Sequence, residues 1–142
     1  MKILIIPTLN ERKNITTLFK KIRKINQKID ILFVDDNSTD GTREEILYLK
    51  KRNKSIYYIF RPRKLGIGSA HKDGLKFAYK KKYKIILTMD ADGTHNPKYI
   101  RNLIKYSSKY DLISTNRFKN KNSLIEWPVH RRFLTKIRFY LI

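Results

Sequence analysis

Two aspartates one residue apart, Asp90 and Asp92, follow the apolar run Ile85-Ile86-Leu87. Carboxylates at i and i+2, just past a buried strand, can aim at one hard cation. Mg2+ or Mn2+ prefers oxygen ligands and keeps waters or substrate phosphates in its shell. A cation held this way would neutralise a diphosphate leaving group. An Asx-rich turn that caps the next segment has the same composition. The pair alone does not separate these readings, but the apolar run and the other strand-end acids favour the cation. Asp35-Asp36 follows a second apolar run, Ile31-Leu32-Phe33-Val34. A carboxylate there can accept hydrogen bonds from a base or a ribose. A turn and helix cap accounts for Asp40 and serves for Ser38 as well.

The remaining candidates are individually weaker. Pro7-Thr8-Leu9-Asn10-Glu11 is a loop by itself, and Glu11 suits the first turn of a helix. Residues 61–68 combine basic side chains with Gly66 and Gly68. Backbone N–H groups there could cradle phosphates, although the full P-loop pattern is missing; the glycines serve a loosened turn equally well. His95 lies close enough to the acidic pair to orient its loop, and His71 fits a helix face. Arg117, Arg131 and Arg132 suit a phosphate, with a solvated basic face as the even alternative.

The elements that must position these residues alternate. Strands are expected over residues 2–6, 30–34, 55–60, 84–89 and 111–115, the first stopped by Pro7. Asn14 reads as the N-cap of a helix carrying Ile15, Leu18, Phe19, Ile22 and Ile25 at helical spacing. Thr42 and Glu45 have capping-box spacing for a helix that runs to about residue 51. Another helix spans about residues 69–81, and Asn96-Pro97 opens one more with proline at its first position. This alternation predicts an α/β fold with a parallel sheet covered on both faces. Each polar cluster then sits at the carboxyl end of a strand, where open α/β sheets bind ligands.

The chain has 142 residues, enough for one domain with a real core. It carries 33 lysines and arginines against 12 acids, a formal charge of +21. That balance favours nucleic acid, an anionic membrane surface or phosphate-bearing substrates, and A/T-rich codon usage explains it equally well. The absence of cysteine excludes disulfides, thiolate catalysis and Cys-ligated zinc. No run is long enough for a signal peptide or a membrane span. The last ten residues read as an amphipathic basic helix without a stop signal, so the domain is expected to be incomplete at residue 142.

Taken in order, Pro-Thr-Leu-Asn-Glu-Arg, Val-Asp-Asp-Asn-Ser-Thr-Asp-Gly-Thr, Leu-Gly-Ile-Gly-Ser-Ala and Met-Asp-Ala-Asp-Gly-Thr-His-Asn-Pro strongly resemble family-two glycosyltransferases of the GT-A fold. Within these, the chain is most similar to dolichol-phosphate (polyprenol-phosphate) mannosyltransferases, over essentially its whole length. The resemblance implies a Rossmann-like α/β/α sandwich with a mostly parallel sheet. It implies transfer of mannose from GDP-mannose to a dolichyl or polyprenyl phosphate, with Mg2+ or Mn2+. Carried over by position, Pro7, Leu9 and Glu11 would line the donor site, and Val34 and Asp36 would hold guanosine. Asp90, Ala91 and Asp92 would meet metal and diphosphate, Thr94 would supply a third metal ligand, and Arg117 would contact the donor phosphates, while Arg131, with Arg132, could attract the acceptor phosphate. Asp92 and Arg117 would be catalytic. Leu9 stands where an aromatic is usual, and Gly93-Thr94 replaces the more typical leucine followed by serine or glutamine. Relatives continue for roughly another hundred residues, a length judged against ordinary domain sizes.

These features imply an inverting displacement by the acceptor phosphate, at the cytoplasmic face of a membrane and without nucleic acid. The alternatives are a polyprenyl-phosphate glucosyltransferase or other UDP-sugar enzyme, an inactive donor-binding domain, and a basic nucleic-acid-binding protein.

Overall fold

The computed structural model describes residues 1–115. Four strands, β1 (Lys2–Thr8), β2 (Asp30–Asp35), β3 (Ile56–Phe60) and β4 (Ile85–Thr88), form one sheet in the order β3-β2-β1-β4. Every pairing is parallel, with Ile5 opposite Leu32 on one side and Thr88 on the other. Helices α1 (Arg12–Ile25), α2 (Thr42–Arg52) and α3 (Ile67–Lys80) fill the connections, and α4 (Ile100–Tyr106) follows β4.

Side chains of a strand alternate between faces, and both faces are covered here. Leu4 and Ile6 of β1, with Ile31 and Phe33 of β2, pack against Ile15, Leu18 and Ile22 of α1, Ile46 and Leu49 of α2, and Ile100 of α4. Ile3, Ile5, Leu32 and Val34 face the other way, beneath Ala70 and Ala78 of α3. That double burial is why the central strands read as unbroken apolar runs. Small residues let α3 lie close to the sheet: a Cβ on Gly74 would stand 2.6 Å from Ile5 Cγ2.

Several local expectations are corrected. β1 runs through Pro7 to Thr8 instead of stopping at residue 6. Ile5 bonds toward β4, so the N–H that Pro7 lacks would point to the same side. The β1–β4 ladder already ends there, at Ile5 opposite Thr88. Glu11, not Asn14, occupies the cap position of α1; Asn14 Nδ2 instead donates to Glu11 Oε2 at 2.6 Å. The cap of α2 is Gly41 at φ 92°, and Thr42 is already helical. Thr42 and Glu45 therefore form no capping box, and their side chains bond to the β1–α1 loop and to α1 instead. Pro97 does start a helical segment: the Asn96 side chain accepts from Lys98 N at 3.0 Å before a 3-10 turn, Pro97–Tyr99.

The strand expected over residues 111–115 is not formed. A strand needs a neighbour for its backbone groups; no pairing reaches this segment among the described residues, and Leu112 is 90% exposed. Arg117, Arg131 and Arg132 lie outside the described residues. Among the described residues, no helix is long and apolar enough to cross a membrane.

Candidate functional site

β1 has β2 on one side and β4 on the other, so the sheet order reverses at β1. Crevices open at such switch points, outside the carboxyl ends of the strands. The crevice here has a volume of about 300 Å³. Pro7, Leu9, Glu11, Asp36, Asp90, Ala91 and Asp92 all line it, although they come from three different strand ends. Lys64, Gly66 and Ile67 close another side.

The first wall is held by bonds between two loops. Asn10 N donates to Ser38 Oγ at 2.8 Å, and Asn10 Oδ1 accepts from Thr39 N at 3.0 Å. Glu11 N donates to Thr42 Oγ1 at 2.9 Å, and Arg12 N donates to Asp40 Oδ2 at 3.1 Å. Asn10 sits at φ 57°, a backbone conformation that asparagine tolerates better than most residues. These contacts fix where Leu9 and Glu11 meet the crevice. Asp40 also accepts from Thr42 N and Thr42 Oγ1. Desolvation pushes its carboxyl up, but the Thr42 hydroxyl and the neighbouring N–H groups outweigh that and hold it below the usual range.

The two adjacent aspartates have different roles. Asp35 is fully buried and accepts from Thr8 Oγ1, Ser38 N, the Ser38 hydroxyl and Arg43 Nε, so it ties β1 and β2 to α2. Asp36 borders the crevice. Its Oδ1 accepts from Arg61 Nη1 at 2.8 Å and Leu65 N at 2.9 Å, while Oδ2 accepts from Gly66 N at 2.8 Å. A carboxylate has about four lone-pair sites, so one position on Oδ2 remains for a further donor.

This arrangement corrects the expectation for residues 61–68. The N–H groups of Leu65 and Gly66 point at Asp36 and do not form an open phosphate cradle. Arg61 is 3% exposed and is spent on Asp36, Gly66 O, the Ser69 hydroxyl and Asp73. Of the basic side chains in this segment, Lys64 is the one that lines the crevice.

Val34 is fully buried in the core beneath α3, so its side chain does not reach the crevice. Asp90 and His95 face each other, with Nε2 3.7 Å from Oδ2, and His95 Nδ1 accepts from Asp90 N at 3.1 Å. His95 thus steadies the acidic loop. Thr94 donates from both N and Oγ1 to Asp92 Oδ1, at 2.9 and 2.7 Å. Its hydroxyl keeps its lone pairs, and Asp92 Oδ2 makes no bond within the described residues. His71 lies on α3, as its sequence position implied.

A model of the family described as glycosyl transferase family 2 matches residues 3–142. The chain belongs to glycosyl transferase family 2. Two relatives of this family are close in sequence. The undecaprenyl-phosphate mannosyltransferase of Micrococcus luteus is 29% identical over 92% of this chain and 54% of its own length. The polyprenol monophosphomannose synthase of Mycolicibacterium smegmatis is 31% identical over 94% of this chain and 51% of its own. The chain thus spans about half the length of these relatives. In fold it is similar to S. aureus TarS 1-349, with a TM-score of 0.61 at 22% identity over 84% of this chain and 40% of that one. It is also similar to the mannosyltransferase PcManGT of Pyrobaculum calidifontis, solved in complex with GDP-Man and Mn2+. The TM-score there is 0.50 at 23% identity, over 54% of this chain and 24% of that one. The GT-A-like α/β architecture expected from the motifs is therefore present in a family 2 chain.

The sequence alone did not mark Arg43, and it marked Arg61 only as part of the basic segment 61–68; both organise the crevice from beneath. Arg43 donates to Asp35, Asn37 Oδ1 and Arg61 O, and its guanidinium lies 5.2 Å from the Phe60 ring centroid. In a chain with 33 basic residues, nothing local marks the two that are drawn inward. A usable signal was that adjacent acids after an apolar strand require buried donors.

Proposed function

We propose that this chain carries the donor crevice of a transferase that moves mannose from GDP-mannose to a polyprenyl or dolichyl phosphate. The observation that carries the reading is the convergence of Asp90, Asp92, Asp36 and Glu11 on one crevice in a strongly basic chain. Paired acids left open in such a chain suit a cation shared with a diphosphate. The names of the two sequence relatives supply the sugar and the acceptor class.

Among the described residues, no three His, Cys, Asp or Glu side chains cluster as a complete metal cage. This fits Mg2+ or Mn2+, which are commonly held by one or two carboxylates together with substrate phosphates. Asp90 and Asp92 would hold the ion, with the lone pairs of Thr94 Oγ1 within the same loop. When bound, the ion supplies charge neutralisation at the diphosphate.

The chain's own residues do the rest. Leu9 offers an apolar surface to the base, and Asp36 Oδ2 has room to accept one base N–H. Lys64 faces the crevice as a point charge for a phosphate. Arg117 is assigned to the donor phosphates from the family motif and Arg131 to the acceptor phosphate; both lie outside the described residues. The acceptor phosphate is already ionised near neutral pH, so it attacks the anomeric carbon opposite GDP without a dedicated base. Positioning and charge stabilisation then dominate. We further propose a peripheral position at the cytoplasmic face of a membrane, supported by the lipid tail of such an acceptor, and no nucleic acid partner.

Titration with GDP-mannose in the presence of Mn2+ tests this reading. Asp92→Ala is expected to weaken binding at least about tenfold, given two carboxylates as the protein's share of the ion. Unchanged affinity would remove the cation assignment. A UDP-sugar donor is the second reading, favoured by Leu9, which is too small to stack broadly on a purine. A larger thermal shift with UDP-glucose than with GDP-mannose would select it. Failure to form product on a short polyprenyl phosphate, with donor binding intact, would leave a donor-binding domain alone.

A further inference from the structure

α3 has two unlike faces. Ala70, Gly74 and Ala78 lie buried against β1 and β2. The opposite face carries Leu75, 46% exposed, and Tyr79, 85% exposed, between the exposed Lys72, Lys76 and Lys80. Ile67, 59% exposed, continues this surface to the crevice that it also lines. The one acid of α3, Asp73, is paired with Arg61 at 3.3 Å and does not offset the lysines.

We infer that the outward face of α3 is where this protein rests on an anionic lipid surface. The inference deepens the proposed function and rests on its acceptor being membrane-borne. Gly68, His71, Lys72, Leu75, Lys76 and Tyr79 line a wide-open hollow of about 460 Å³ on this face, and its lysines favour an anionic occupant. Leucine and tyrosine ringed by lysines match the composition of helices that lie in a membrane interface. Lysine stems can lie along the acyl boundary while their ammonium groups reach lipid phosphates. A surface selected for nucleic acid would need the lysines without the projecting leucine. On the other side of the sheet, α1 is more basic than α3, with Lys20, Lys21 and Lys24 exposed, but its large apolar side chains are buried or half-buried. α2, on the α1 side, also exposes Leu47 and Tyr48 but carries Glu44 and Glu45, so the lipid face is assigned to α3 by apolar exposure together with charge. It also adjoins the crevice, which would bring a headgroup phosphate within reach of the donor.

Co-sedimentation of the full chain with phosphatidylcholine vesicles, with and without phosphatidylglycerol, tests the assignment. Binding is expected with phosphatidylglycerol. Lys72→Glu/Lys76→Glu/Lys80→Glu should weaken it by about tenfold or more, since each interfacial lysine contributes separately. Leu75→Ser/Tyr79→Ser, which keeps the net charge, should weaken it several-fold. Lys20→Glu/Lys21→Glu/Lys24→Glu, with the same charge change on the other side of the sheet, should have little effect.

Three results would overturn the assignment: no binding to anionic vesicles, equal losses from the two triple reversals, or full binding by the Leu75/Tyr79 variant. In that last case the surface would be a general polyanion site, and competition by duplex DNA would reveal it. Circular dichroism establishes that each variant is folded. A GDP-mannose thermal shift on the same α3 variants is expected to match the parent chain. A parent chain without that shift would count against the donor reading and leave the vesicle result standing.

Discussion

Arg61 Nη1 donates to Asp36 Oδ1 at 2.8 Å, and neither side chain exposes more than 6% of its surface. This pair stands directly behind the crevice. It joins the end of β2 to the segment that leads into α3. A buried pair is weak evidence for stability by itself, but breaking it leaves an uncompensated charge. Arg61→Ala is therefore expected to destabilise the fold by about 3–5 kcal/mol. Arg61→Lys should rescue part of this, because an ammonium cannot reach Asp36, Gly66 O and Ser69 in one planar arrangement. Urea unfolding of the three proteins measures the series. A loss below about 1 kcal/mol for Arg61→Ala would mean that water replaces the guanidinium at little cost.

Gly74 and Gly68 lie on the same helix and should respond oppositely to alanine. At Gly74 the new Cβ would meet Ile5 Cγ2 at 2.6 Å, inside the sheet–helix contact. Gly74→Ala is expected to cost about 1–3 kcal/mol through overpacking. At Gly68 a Cβ meets nothing within 4 Å. Gly68→Ala is expected to be neutral or to gain up to about 1 kcal/mol from helix propensity. Thermal unfolding of both variants gives the comparison, and equal signs would contradict the packing described for α3.

Asp40 predicts an acid-side signature. Its folded carboxyl lies below the ordinary range, held there by the Thr42 hydroxyl and N–H groups against a desolvation effect that pushes up. A depressed carboxylate contributes stability that is present above the unfolded value, near ~3.9, and lost as pH falls through the folded value. Asp40→Ala should therefore be less stable than the parent at pH 7. The gap should narrow as the solution is acidified below the unfolded value. Denaturant midpoints between pH 7 and pH 2.5 would test it. A constant gap would assign the loss to packing instead of charge.

Tyr83 predicts the opposite signature. Its hydroxyl donates to Asp30 Oδ2 at 2.6 Å. Burial pushes the phenol up, and the hydrogen bond and charge of Asp30 push it further, with smaller help from Tyr57. A raised group contributes stability that is fully present below the unfolded value, near ~10, and lost as pH rises through the folded one. Tyr83→Phe should lose about 0.5–1.5 kcal/mol at pH 7. That difference should hold to pH 9 and shrink in stronger alkali. A difference that shrinks between pH 7 and pH 9 would contradict the assignment.

Much of the crevice was legible before any coordinates. Apolar runs ending in Asp35-Asp36 and Asp90-Ala91-Asp92 marked strand ends, and a parallel sheet brings such ends to one edge. The less legible features depended on partners distant in sequence. Thr42 and Glu45 had the spacing of a local cap, but Glu11 and Thr16 took up their side chains. Pro7 read as a strand stop because sequence does not reveal that the neighbouring ladder ends before it. Residues 111–115 had strand composition, and composition supplies no ladder neighbour. Val34 followed the family motif by position, but the alternation of β2 turns its side chain into the core.

The sheet order has a consequence for how the crevice is assembled in time. β1 pairs with β2 across a single helix, and the loops beyond them clasp each other through Asn10, Ser38, Arg12 and Asp40. β4 joins the other side of β1 only after two further helices and a strand have been traversed. Short loops close at lower entropic cost than long ones. The wall bearing Glu11 and Asp36 can thus be native while the strand delivering Asp90 and Asp92 is still unplaced. Pulse-labelled hydrogen exchange during refolding should protect Leu32 and Val34, whose amides face β1, before Leu87. The two halves of the crevice would then have separate folding histories, and the acidic pair would meet the rest of the crevice last.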